Sequence, residues 1–185
     1  MSVSSTRKSA MPESRAAVSR DCIHDIEQHY YREARLLQDG RYQDWIETCV
    51  AEDIHYWLPV LEERLRRDKR SAPSPDEAAI FNDDYAMLKM RVDRLDTGQV
   101  WMEDPPSRIR YLITNVEAYE SATPNEFDVY SNFAIHRHRR QNEHYVHVGG
   151  REDHLRRIDG AFVLVRRKIT LDARVVQDKN LYFFA

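Results

Sequence analysis

Eight histidines give this chain its most obvious candidates for chemistry. In "HRHRR" (136–140), His136 and His138 stand two residues apart, so in a strand both imidazoles would share a face and could meet one metal ion. Arg137, Arg139 and Arg140 flank them and would oppose a cation, and no nearby cysteine completes a ligand set. We therefore expect a solvated or partner-facing strand end there. Asp53 and His55 are spaced in the same way, and a carboxylate can orient an imidazole for acid–base work. Asp53 opens its strand, however, so a structural hydrogen bond is the expectation. Cys22 and His24 make one C-x-H pair, but Cys49 has no histidine three residues on to complete a histidine-ligated iron–sulfur cluster, and the two cysteines form no C-x-x-C pair, which reads as buried reduced thiols. There is no G-x-G-x-x-G, Walker loop or G-x-S-x-G elbow, and the "GG" at Gly149 and Gly150 reads as a strand bend. The expectation is a chain with no catalytic, cofactor-binding or metal-binding residues of its own.

A second set of residues suits assembly. Trp101 and "EDPPSR" (103–108) precede an apolar strand, and the two prolines stiffen an extended segment that cannot join a sheet interior. Arg108 and Arg110 share a strand face, and their planar guanidiniums favour two parallel hydrogen bonds to carboxylates. Pairing with Glu103 or Asp104 and pairing across a subunit boundary both fit. Tryptophan and arginine are enriched in interface cores. The chain ends "LYFFA", with three aromatics among the last four residues. Tyr182, Phe183 and Phe184 each offer roughly 150 Å² or more of surface, too much to leave in water at ~25 cal/mol per Å². They must pack, within this subunit or under a neighbour. Trp57, Trp101, Arg108, Arg110, Tyr182, Phe183 and Phe184 are the expected subunit-interface residues.

The elements that would carry these residues divide into helices first and strands afterward. Ser19 can cap a helix that Gly40 ends, with Ile23, Ile26, Tyr30, Ala34 and Leu37 as its apolar stripe. A shorter helix buries Trp45, Ile46 and Cys49. In "IHYWLPV" Ile54, Tyr56, Leu58 and Val60 face one way and His55 and Trp57 the other, and Pro59 makes the strand an edge or its stopping point. After a loop at "SAPSPDEAA", Phe81, Tyr85, Leu88, Val92 and Leu95 mark another helix. Long strands follow in "IRYLITNVEAYE", "EFDVYSNFAIHRHRR", "HYVHVGGREDHLRRI" and "AFVLVRRKITLDARVV", and in the second of them Phe127, Val129, Phe133 and Ile135 share one face. This order predicts an α+β fold, with a curved antiparallel sheet wrapped around N-terminal helices. One domain over 19–185, preceded by a disordered arm over 1–18, is expected.

With 28 basic and 31 acidic residues among 185, the net charge of −3 gives no global attraction to nucleic acid or anionic membrane. No apolar run approaches the ~18 residues of a membrane span, and the first residues lack a signal-peptide core. A cytoplasmic location is expected.

Six blocks together resemble a known family: "YYREARLL", "AEDIHYWLP", "FNDD", "EDPPSRIRYLITNV", "GREDHLRR" and "ITLDARVVQDKNLYFF". They resemble, in order, the small (β) subunit of aromatic-ring-hydroxylating dioxygenases of the benzene, biphenyl and phenylpropionate type. The resemblance implies a cone of the nuclear transport factor 2-like (cystatin-like) superfamily. It also implies a hexamer of three α and three β subunits, with the Rieske [2Fe–2S] cluster and mononuclear Fe(II) in the α subunit and NAD(P)H supplying electrons through a reductase. Such a complex converts an arene to a cis-dihydrodiol in aromatic catabolism, and its β subunit is a scaffold. The rival expectation is a stand-alone isomerase or dehydratase, with Tyr30, Asp53 and His55 in the cone's cavity.

Overall fold

The computed structural model describes residues 15–60, 67, 73–97, 106–141, 143–173, 178 and 184–185. Ser19 Oγ accepts the Cys22 N–H at 3.2 Å and opens α1 (Arg20–Gln38). Ile26, Tyr30, Ala34 and Leu37 are its buried stripe, and Glu33 lies buried among them. Gly40, at φ 70°, adopts the left-handed turn that ends the helix. Next, α2 (Tyr42–Cys49) buries Trp45, Ile46 and Cys49 and runs straight into β1 (Val50–Pro59).

One expectation changes in this half. The segment read as helix from Phe81 begins as a strand, β2 (Ala79–Asp83), paired antiparallel with β1. The helix starts only after it, because the Asp84 carboxylate accepts the Met87 N–H at 2.9 Å and fixes the first turn of α3 (Tyr85–Asp96). Of the two readings of Pro59, the stopping point holds, and β1 is not an edge. It lies between β2 and the last strand, and Pro59 closes it where the register with β2 slips. Lacking an N–H, proline suits that last position.

The four long strands are β3 (Arg108–Glu120), β4 (Glu126–Arg139), β5 (Glu143–Ile158) and β6 (Ala161–Leu171), each antiparallel to the next. Among the described residues they join β1 and β2 in a six-stranded sheet in the order β2-β1-β6-β5-β4-β3. The sheet is curved and unclosed, with the helices on its inner side. One pair departs from the expected antiparallel pattern: β1 runs parallel to β6. The long chain between them supplies the crossover that a parallel pair needs. Residues 15–18, the end of the expected arm, lie along the outer edge of β3. Ala17 bridges to Tyr119, and Glu120 donates its N–H to the Ala16 carbonyl at 3.1 Å. An edge strand has unpaired backbone groups, and this segment satisfies some of them.

Gly149 lies mid-strand in β5. A Cβ there would stand 2.1 Å from the Thr170 carbonyl oxygen and 3.0 Å from the Phe133 ring. Only glycine lets β6 pass this close.

Candidate subunit interface

Strand alternation gives the sheet a buried inner face and an outer face. On the outer face, cross-strand register builds three rows over β3, β4 and β5: Leu112–Ala134–Val148, Arg110–His136–Val146 and Arg108–His138–His144. Opposed residues in such rows touch as neighbours. Leu112, Val146 and Val148 are 53%, 55% and 43% exposed, an apolar strip with Arg108, Arg110 and the histidines along one side. The His138 and His144 rings approach to 4.1 Å between centroids.

The expected interface residues are placed differently from one another. Arg108 and Arg110 are exposed on this outer face. Trp57 is also on the outer side of its strand but is buried, stacked against His55 at 6.4 Å and with the Lys168 ammonium 6.0 Å from its ring. Its indole N–H has no acceptor among the described residues. Trp101, Tyr182 and Phe183 fall outside the described residues. Phe184 packs inside its own subunit, against Trp45 at 4.7 Å and Tyr42 at 5.8 Å. The Ala185 carbonyl oxygen beyond it accepts from Tyr56 Oη at 2.7 Å and Arg167 Nη1 at 3.2 Å.

That last contact belongs to a network that sequence reasoning missed. Arg167 is fully buried and donates to both Glu33 oxygens, at 2.9 and 3.0 Å, and both Asp153 oxygens, at 2.9 and 2.8 Å. Trp45 Nε1 donates to Glu33 at 3.1 Å, and Tyr30 Oη donates to Asp153 at 2.9 Å. Burial alone would raise the Glu33 carboxyl. The Arg167 and Arg151 charges and the Arg167 hydrogen bonds outweigh it, holding the group at about 2. Burial, chiefly, holds His29 down to about 4. A charged pair this deep is favourable only when its hydrogen bonds are made, and here they are. The available signal was Glu33 itself, standing three residues after Tyr30 and four before Leu37 on an otherwise apolar stripe.

The cavity constellation of the rival reading is not assembled. Tyr30 is inside the cone, whereas Asp53 and His55 lie outside, across the sheet. Asp53 takes a bidentate pair from Arg156, at 3.1 and 2.9 Å, and His55 Nε2 meets Asn82 Oδ1 at 2.8 Å. In "HRHRR" only alternate residues face solvent. His136 and His138 do, but Arg137 and Arg139 turn inward and are buried, Arg137 donating to Asp178 at 2.6 Å. Charge count alone could not separate the two faces of that strand. Cys49 is buried and Cys22 partly so, both as free thiols. No group of three or more His, Cys, Asp or Glu among the described residues is placed to hold a metal ion.

Comparison with known proteins agrees with this architecture. The family model described as "Ring hydroxylating beta subunit" matches residues 32–178. The benzene 1,2-dioxygenase subunit beta of Pseudomonas putida is 37% identical over 172 residues, covering 91% of either chain. The 3-phenylpropionate/cinnamic acid dioxygenase subunit beta of Photorhabdus laumondii is 36% identical over 166 residues, covering 89% of this chain and 92% of that relative. A solved naphthalene 1,2-dioxygenase superimposes with a TM-score of 0.84 at 28% identity, over 92% of this chain and 90% of that one. A solved structure from Novosphingobium aromaticivorans described as "Putative Scytalone Dehydratase", at 11% identity and a TM-score of 0.59, shares the fold alone. A match that runs from α1 through β6 to Asp178 covers the whole sheet with its outer rows and its buried ionic network, and by it the chain belongs to the family of ring-hydroxylating dioxygenase beta subunits.

Proposed function

We propose that this chain is the structural scaffold for the catalytic α subunits of its dioxygenase, within a hexamer of three α and three β chains. The reaction is dihydroxylation of an aromatic ring to a cis-dihydrodiol, since benzene, chlorobenzene and phenylpropionate name the relatives' activities. The Rieske cluster and mononuclear iron reside in the α subunit and receive electrons from NAD(P)H through a reductase. This chain's contribution is geometric: it holds α subunits at the spacing that electron transfer between neighbours requires. We place the assembly in the cytoplasm.

The observation that carries this reading is the exposed strip of Leu112, Val146 and Val148 beside Arg108 and Arg110. Apolar side chains aligned in register on a rigid sheet, rimmed by cations, suit a permanent protein contact. Trp57, whose indole N–H has no acceptor among the described residues, extends the same outer side toward β1. Phe184 supports the interface from within, by fixing Trp45 and α2. The test is co-expression of a Leu112→Asp/Val146→Asp variant with the α subunit. The expected result is a folded β chain that no longer co-purifies with α or reaches the size of the complex. An unchanged complex would overturn the assignment of this face.

A further inference from the structure

Inside the cone one cation is used on one side only. Arg151 is 3% exposed, and its Nη1 donates to Glu33 Oε2 at a long 3.3 Å, while Nε and Nη2 have no acceptor among the described residues. Those two nitrogens form one edge of the planar guanidinium, a pair of parallel donors that matches two carboxylate oxygens. Ser131, also 3% exposed, stands directly opposite Arg151 in the β4–β5 register, and its Oγ likewise has no partner among the described residues. The Tyr30 and Phe133 rings lie 5.5 and 5.6 Å from the guanidinium carbon. Buried donors left unpaired carry their full desolvation penalty, and a group of them in one place calls for an acceptor. The neighbouring carboxylates are engaged: Arg167 holds both oxygens of Glu33 and of Asp153, so turning Glu33 onto the free edge would break its pairing with Arg167.

We propose that the interior of the cone binds a small carboxylate, its two oxygens on Nε and Nη2 of Arg151 and one of them also accepting from Ser131 Oγ. Two guanidiniums and two carboxylates already balance here, so any bound anion adds uncompensated charge, and a monoanion costs less than a dianion such as phosphate. Aromatic rings beside the guanidinium give the acid's carbon end an apolar wall. This inference stands on the inner face alone and is independent of which partner covers the outer one.

The experiment uses the full chain, first dialysed against chloride. Formate, acetate and benzoate are then titrated in at matched ionic strength, and the thermal midpoint is followed. A ligand that binds only the folded state raises that midpoint with concentration. The expected result is a saturable rise with at least one of the three acids and none with sulfate, with the half-saturating concentration at least tenfold higher in Ser131→Ala and in Arg151→Lys. No rise with any acid, or a rise equal in both variants and the parent, would overturn the site. If Arg151→Lys does not fold, Ser131→Ala decides alone. Benzoate against formate reports how large an acid the walls admit, and binding by either supports the proposal.

Discussion

Phe184→Ala separates a tail that packs within its own subunit from one that acts only between subunits. The ring is 5% exposed and lies against Trp45 and Tyr42, so truncation leaves a cavity beside a buried indole. Phe→Ala in such a site costs about 3–5 kcal/mol, a large part of the ~5–15 kcal/mol that holds a domain together. With a urea m-value of ~2 kcal/mol/M, the midpoint should fall by roughly 1.5–2.5 M without a change of slope. Trp45 reports the event directly, because its environment loses the ring 4.7 Å away. The assay is equilibrium urea unfolding of the chain, read by tryptophan fluorescence and circular dichroism, beside sizing of the complex with α. A midpoint within ~0.3 M of the parent, together with a dissociated complex, would refute the reasoning, since a loss confined to the interface cannot come from a ring that packs at home.

Acid should weaken the fold through Glu33. Its folded value of about 2 lies below the ordinary 4.5, so the stability it contributes is complete above pH 4.5 and is lost as pH falls from there toward 2. Urea midpoints measured between pH 6 and 3 should show that decline, and Glu33→Gln should flatten it while lowering stability throughout. Gly149→Ala forces a methyl against the Thr170 carbonyl, and a cost of ~3 kcal/mol would lower Tm by roughly 10 °C. Gly150→Ala, whose Cβ would meet nothing closer than 3.7 Å, is the control and should melt near the parent temperature. On the outer face, Leu112→Asp and Val146→Asp should each shift the chain's own stability by less than about 0.5 kcal/mol, the usual range for exposed sites, while abolishing co-purification with α.

Local signals were legible wherever one residue settled the matter by itself. Ser19 and Gly40 bounded α1 because a cap and a left-handed turn depend only on neighbouring backbone. The alternation of Phe127, Val129, Phe133 and Ile135 gave the inward face of β4, since a strand's period reports which side is dry. The order of helices before strands gave the α+β class, and the six sequence blocks gave the family. Period and propensity also misled: Phe81 continued the helical spacing of Tyr85 and Leu88, yet pairing with β1 took it into a strand.

What the sequence determined by itself was the set of elements, the absence of any local motif for redox or nucleophilic chemistry, and the oily end that must be covered. Only the tertiary structure decided what covers it. Phe184 goes under α2, Arg137 and Arg139 turn inward while their histidine neighbours face out, and Arg167 gathers Glu33 and Asp153 from elements far apart in the chain. The physical reason is range. Caps, turns and strand periods are fixed by contacts a few residues apart, whereas a buried charge or aromatic is placed by whichever distant group can satisfy it, and that choice exists only once the sheet has curved around the helices.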